Sequence, residues 1–256
     1  MDPEQCLENT SATLRAAGCV SAEEEAAELI AACGGDDQLL GELVGRRSTG
    51  EPLAWLVGSV SFCTVPIQIT KGVYVPRWQT EALALEAVAR LPERGLAVDL
   101  CTGSGAVAAV LSHYRPQARV IGSEIDPVAA ACARSNGVEV YQGDMGAGLP
   151  ASIWRQVDVV TAVVPYVPTG ELQFLPRDVT AYEPTRALDG GSEGTEQLVR
   201  ACQLSGSLLK SGGSLLVELG GRQDLLLKPF LCDLDFHDFE SHHDEDGDLR
   251  AVFCRR

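Results

Sequence analysis

Three acidic side chains, Asp99, Glu124 and Asp144, each stand at or just beyond the end of a short aliphatic run, and a turn, Cys101-Thr102-Gly103-Ser104-Gly105, follows the first. The runs are Leu96 to Leu100, Arg119 to Gly122 and Val138 to Tyr141. Carboxylates accept hydrogen bonds from amino groups and ribose hydroxyls. Glycines let a turn bring its backbone against a ligand, and the helix start behind them presents unpaired N–H groups. Glu124 follows Gly105 by about 20 residues, the separation at which an acid meets a ribose hydroxyl in nucleoside sites. The stretch Gly103-Ser-Gly-Ala-Val-Ala also fits the loose glycine pattern of nicotinamide and flavin sites, so the glycines leave the cofactor open. Acceptors at three successive strand ends favour a ligand with an amino group at each extremity and a ribose between. S-adenosyl-L-methionine answers that description better than a dinucleotide.

The elements that must position these groups are a strand to Leu100, the tight turn, and a helix over Ala106 to Leu111. Val157 to Val164 is almost wholly apolar, as a central parallel strand should be, and it delivers Val163-Val164-Pro165-Tyr166 to the ligand edge. Val167 to Gly194 is rich in Pro, Gly and acids without periodicity, which predicts a long loop acting as a lid. A helix over Glu196 to Lys210, stopped by Gly212-Gly213, then a strand over Ser214 to Leu219 and a helix over Arg222 to Phe230 follow. Two last strands, near Phe236 to Glu240 and Leu249 to Cys254, turn at Asp246-Gly247.

Ahead of this α/β pattern, Glu4 to Arg47 is rich in Ala, Leu and Glu and reads as three short helices, the second opened by a capping box of Ser21 and Glu24. Glu51 to Val75 holds a hairpin, Pro76 breaks it, and a helix starts near Trp78. The expected division is a helical N-terminal domain over 1–58, a linking β-hairpin over 59–75 and an S-adenosylmethionine-binding domain over 76–256.

The 20 Lys and Arg against 36 Asp and Glu leave a formal charge of −16, which repels phosphate backbones and argues against nucleic acid as a partner. Nine scattered cysteines without a C-x-x-C pair indicate neither a disulfide framework nor a zinc site. The start, Met-Asp-Pro-Glu-Gln, lacks a basic region with an apolar segment behind it, and no apolar run reaches membrane-spanning length, so a cytoplasmic protein is expected.

Six stretches carry a family resemblance. Glu51-Pro-Leu-Ala-Trp-Leu-Val-Gly, Val75-Pro-Arg-x-x-Thr-Glu, Asp99-Leu-Cys-Thr-Gly-Ser-Gly, Pro165-Tyr-Val-Pro, Glu183-Pro-x-x-Ala-Leu-Asp-Gly-Gly and Leu216-Val-Glu-Leu-Gly-x-x-Gln come in the order of the PrmC/HemK-type protein-glutamine methyltransferases, which this chain resembles along nearly its whole length. The resemblance implies a Rossmann-like class I methyltransferase fold, with seven strands and helices on both faces, and S-adenosylmethionine as methyl donor. Carried over by position, it places the turn of Thr102, Gly103, Ser104 and Gly105 at the methionine part and Glu124 at the ribose, with Asp99, Cys101 and Ile125 also against the cofactor. Asp144 and Met145 fall at the adenine end, and Val163 borders the cofactor. No metal is implied.

The departures bear on the acceptor. The family's Asn-Pro-Pro-Tyr holds the amide of a substrate glutamine, and here that segment is Val163-Val164-Pro165-Tyr166. Valine offers no polar atom, so a glutamine amide loses a partner there, at a cost of order 1–3 kcal/mol. Arg77 and Trp78 stand where the family has a different Pro-Glu segment, and Trp78 adds an aromatic face. The reading favoured is retargeting to a small apolar or aromatic metabolite, of indole or cyclic-dipeptide type and methylated on N or C, held by Arg77, Trp78, Val163, Val164, Pro165 and Tyr166. The alternatives are methylation of a glutamine in a release-factor-like or other protein and, from another class, a non-catalytic S-adenosylmethionine-binding protein. Tyr166 and Glu183 are the candidate proton acceptors.

Overall fold

In the computed structural model, which describes residues 2–256 with the side chain of Arg177 excepted, the N-terminal stretch forms α1 (Pro3–Ala16), α2 (Ala22–Cys33) and α3 (Asp37–Ser48). Leu14, Ala26, Leu29 and Leu43 close a small core among them. Asp36 caps α3 by accepting from the backbone N–H groups of Gln38 and Leu39. The expected capping box on α2 is not made: Ser21, at φ −98° and ψ 47°, lies outside the extended region from which a cap hydroxyl reaches the first amides, and its side chain makes no cap bond.

Helix α4 (Leu53–Val57) faces two ways: Leu53, Leu56 and Val57 pack on the helical core, while Ala54 and Trp55 enter the core of the sheet. The expected boundary at residue 58 therefore falls just past a helix shared by both parts. Hairpin strands β1 (Ser59–Phe62) and β2 (Val65–Gln68) follow and bury Phe62 and Ile67 in the same sheet-side core. A 3-10 turn at Trp78–Thr80 leads into α5 (Glu81–Arg90).

The remaining elements are β3 (Leu96–Leu100), α6 (Ala106–Tyr114), β4 (Arg119–Glu124), α7 (Pro127–Ser135), β5 (Glu139–Gln142), β6 (Val157–Ala162), α8 (Arg177–Tyr182), α9 (Glu196–Leu208), β7 (Leu209–Glu218), α10 (Gln223–Asp233), β8 (His237–His243) and β9 (Leu249–Arg255). Strands β3 to β9 make one seven-stranded sheet in the order β5-β4-β3-β6-β7-β9-β8. The pairs up to β7 are parallel and β9 runs antiparallel to both of its neighbours. One apolar core lies on each face, the first with Val159 and Leu216, the second with Ala162 and Val217. Because β4 and β6 leave β3 in opposite directions, a crevice opens at the carboxyl ends of β3 and its neighbours, where open α/β sheets bind ligands.

Two expectations are corrected. The lid is not an irregular loop: 3-10 turns at Thr169–Phe174 and Thr185–Ala187 flank α8, each Pro standing where a helical turn begins. Helix α9 ends at Leu208, and Gly212-Gly213 falls inside the long strand β7, where Gly212 donates to the carbonyl of Arg256. Among the described residues no helix is long and apolar enough to cross a membrane.

Candidate active site

A cavity of about 540 Å³ opens over the carboxyl ends of β3, β4, β6 and β7. Cys101, Gly103, Glu124, Ile125, Asp144 and Met145 line it, as do Arg77, Val163, Val164, Pro165 and Tyr166. The structure thus brings together most of the residues singled out from the sequence. Asp99, Thr102, Ser104 and Gly105 stand behind this wall and shape it.

The turn after β3 is built locally. Asp99, 1% exposed, accepts from Thr102 Oγ1 at 2.5 Å and Thr161 Oγ1 at 2.7 Å. Burial pushes its carboxyl up to about 6 in spite of these bonds. Thr102 N–H donates to the carbonyl of Ser123 on β4, and Ser104 offers its carbonyl to Asn136. Gly105 has φ +82°, and a Cβ there would lie 2.9 Å from Val138 and 3.0 Å from Ala133. Glycine is required on both counts.

Glu124 ends β4, 8% exposed, with Oε2 accepting from Gly103 N–H at 2.9 Å and Oε1 from Asp126 N–H at 2.8 Å. Burial raises its pKa, and the backbone donors oppose the rise. Two backbone bonds leave a carboxylate with room for more, since it offers about four acceptor sites. A Cβ on Gly103 would find only the Cys101 carbonyl, 4.0 Å away, so the turn offers uncrowded backbone at the cavity. Ser123 donates to the Met145 carbonyl, and Asp144 accepts from Arg200 at 2.7 Å. These groups fit S-adenosylmethionine: an uncrowded glycine turn, a buried carboxylate at a strand end, and an acid with a thioether neighbour beyond the next strand.

The other end of the cavity is assembled from distant segments. Arg77 pairs with Glu183 and stacks over the ring of Tyr74, its Cζ 4.9 Å from the ring centre. Burial pushes the Tyr74 phenol up to about 12. Tyr166 donates its hydroxyl to Glu218 Oε1 at 3.1 Å, and burial raises its pKa as well. It therefore stands as a protonated donor.

Glu183 is 6% exposed and does not reach the cavity wall; it lies behind Arg77 as that guanidinium's counter-ion. Trp78 is also elsewhere: 69% exposed and outside the wall, it starts the 3-10 turn after Arg77 with its ring outward. Sequence reasoning missed Tyr74, Gln79, Glu218 and Arg250, which line the same cavity. Glu218 left a signal, a lone charge inside the apolar run Leu215-Leu-Val-Glu-Leu. For Arg250, on an edge hairpin far along the chain, no local signal exists.

The lid covers the cavity with Leu175, Pro176, Val179, Ala187 and Leu188. It is held through its central residues. Tyr182 of α8 meets the Trp55 ring edge-on and donates to the Thr49 carbonyl at 3.2 Å, while Arg186 pairs with Asp126 beside Glu124.

No family model matches the chain. Among curated proteins it is 35% identical over 210 residues to a release factor glutamine methyltransferase of Geobacter sulfurreducens, covering 79% of this chain and 70% of that protein. It is 37% identical over 191 residues to a 4-amino-L-phenylalanine/4-methylamino-L-phenylalanine methyltransferase of Streptomyces pristinaespiralis, covering 70% of this chain and 65% of that one. Among solved structures the ribosomal protein L11 methylase of Lactobacillus delbrueckii subsp. bulgaricus superposes with a TM-score of 0.54 at 15% identity, over 74% of this chain and 85% of that one.

Proposed function

The chain belongs to the release factor glutamine methyltransferase (PrmC/HemK) family and is an S-adenosylmethionine-dependent methyltransferase, and from that premise we propose that its methyl acceptor is a small, largely apolar or aromatic molecule of indole or cyclic-dipeptide type. The observation that carries this reading is Val163 in the cavity wall, followed by Val164 and Pro165, at the position where the resembled family presents an amide-binding Asn. The lid adds Leu175, Val179 and Leu188 to the same apolar surround. The Streptomyces pristinaespiralis relative, of similar identity, is named for a small aromatic acceptor, 4-amino-L-phenylalanine, which supports the reading.

In this reading the Gly103 backbone and Glu124 hold the methionine part and ribose of the donor, and Asp144 with Met145 borders its adenine. The bound donor supplies an activated sulfonium methyl. What remains for the protein is alignment and exclusion of water during transfer, the proton that the methylated atom gives up passing to solvent as the product leaves. Val163, Val164 and the lid's aliphatic side chains exclude water and press a flat acceptor into place. Tyr166, kept protonated, fixes the Glu218 carboxylate rather than abstracting a proton, and Arg77 with Glu183 braces the segment between hairpin and α5.

Val163→Asn tests the reading with labelled methyl donor and two acceptors. The added amide either stays unpaired among aliphatic side chains, at a cost of order 1–3 kcal/mol, or takes the neighbouring Glu218 carboxylate away from the acceptor. Methylation of an indole-containing cyclic dipeptide should fall by about 10-fold or more, and that of a glutamine peptide from a release-factor-like protein should rise. Robust methylation of the glutamine peptide by the wild type, unimproved in the variant, would overturn the reading. The second reading, glutamine methylation in a protein, is favoured by the activity for which the Geobacter relative is named.

A further inference from the structure

Glu218 is the last residue of β7 and 4% exposed, in a motif to which the reading above gives no chemical role. Its neighbour strand β6 pairs Ala162 with Val217, so Val163 and Glu218 are the next residues along two adjacent parallel strands. Alternation puts them on one face, since Ala162, Val164 and Val217 all enter the core of the opposite face. Both line the cavity. The residue without a polar atom thus stands beside a carboxylate.

That carboxylate is half used. Burial raises the pKa of this carboxyl while Thr80, Tyr166, Arg250 and Arg77 hold it down; Tyr166 donates to Oε1, and Oε2 is buried without a hydrogen-bond partner among the described residues. Gln79, on the same cavity, likewise has a buried, partnerless Oε1. The cations nearby are engaged: Arg77 with Glu183, and Arg250 with Asp244 and Asp248. Both open valences are therefore acceptors, and a buried acceptor without a donor is costly. The terminal torsion of a Glu side chain is soft, so the free oxygen can turn to a ligand while Tyr166 holds the other.

We propose that Glu218 accepts a hydrogen bond from an N–H of the methyl acceptor, so that the site selects aromatic acceptors bearing an N–H, an indole or an arylamine, over isosteres without one. This rests on the small-aromatic reading above. A site built around a substrate N–H rejects the analogue lacking it, because its own buried polar group is then left unpaired.

The test measures affinities by calorimetry, with the demethylated cofactor present, for an indole-containing cyclic dipeptide and its benzothiophene isostere. The wild type should bind the indole at least 10-fold more tightly. In Glu218→Gln the ratio should collapse towards one, because Tyr166 retains Oε1 and the amide then turns a donor to the N–H; cofactor affinity should stay within about twofold. Equal wild-type affinities, or a ratio that survives in Glu218→Gln, overturn the proposal. Should that variant fail to bind cofactor, the wild-type ratio alone decides. A labelled-methyl assay on the glutamine peptide separates the two readings: binding of neither aromatic with methylation of the peptide overturns both, whereas equal binding and methylation of the aromatics overturns only the role of Glu218.

Discussion

The two ends of the cavity are made in different ways. At the cofactor end a backbone turn, two adjacent strand ends and short-range bonds do the work: Gly103 to Glu124, Thr102 to Asp99, Gly105 against Val138. At the acceptor end, side chains from the segment before α5, the end of β6, the lid, β7 and β9 meet through Arg77–Glu183 and Tyr166–Glu218. Local backbone geometry tolerates little change and serves one invariant ligand. Pairwise side-chain contacts can be exchanged one at a time, and the acceptor end is where this chain departs from the family's signature. If so, damage at one end should leave the other intact.

The largest effect is expected from Gly105→Ala. A left-handed φ costs an L-residue about 1–2 kcal/mol, and a Cβ pressed on Ala133 and Val138 adds about 1–3 kcal/mol. Denaturant unfolding should show a loss of about 2–5 kcal/mol, with cofactor affinity falling in parallel by calorimetry. A variant of unchanged stability and affinity would break the claim that this end is fixed by backbone.

Asp99 sharpens the comparison through pH. Its carboxyl is pushed from 3.8 up to about 6 by burial, so its contribution to stability is fully present below about pH 4 and is lost as pH rises through about 6. Two pKa units at about 1.4 kcal/mol each make that close to 3 kcal/mol. Other acids add slopes of either sign: burial raises Glu124, whereas Arg46 and Lys71 hold Glu51 down to about 2. The measurement is therefore a difference. Asp99→Asn, whose amide can still meet both threonine hydroxyls, should remove a destabilising slope between about pH 4 and 6 relative to wild type in urea melts.

At the acceptor end, Arg77→Ala strands Glu183, whose side chain is 2% exposed and whose Oε2 already lacks a partner. Breaking a fully buried pair costs about 3–5 kcal/mol; with the Arg77 side chain 32% exposed, about 2 kcal/mol is expected. Acceptor turnover should drop at least 10-fold while cofactor affinity stays within about twofold. A matched loss of cofactor affinity would show that the two ends are not independent.

The same contrast explains what the sequence could tell. Strand, turn, helix and the acid at the second strand end lie within about 30 residues, the span of one βαβ unit, so spacing alone reads them. Tyr74, Gln79 and Arg250 carry no local signature, because their neighbours are set by the folding of the whole chain. Trp78 shows the opposite hazard: an aromatic beside a motif suggests a ligand face, yet the 3-10 turn after Arg77 points its ring outward. The lid read as a loop because its helical turns are short and proline-led, leaving no apolar period to detect.

The smallest effect concerns the helical part and the lid. We propose that the N-terminal helices act on the acceptor end alone, because Tyr182 of α8 reaches back to Thr49, just after α3, and to Trp55 in α4. Tyr182→Phe keeps the ring against Trp55 and removes only the hydroxyl, which donates to the Thr49 carbonyl and lies 2.8 Å from Thr49 Oγ1. These bonds are solvent-exposed, so the loss should be about 0.5–1 kcal/mol. A lid held that much less firmly should raise KM for the acceptor two- to fivefold and leave cofactor affinity unchanged, since its other side-chain anchors, Arg186 on Asp126 and Glu183 on Arg77, are retained. Steady-state kinetics with either substrate varied would check it. An unchanged acceptor KM would show that the helices support the fold without governing the lid, whereas an equal shift in both constants would mean that the lid serves the whole cavity.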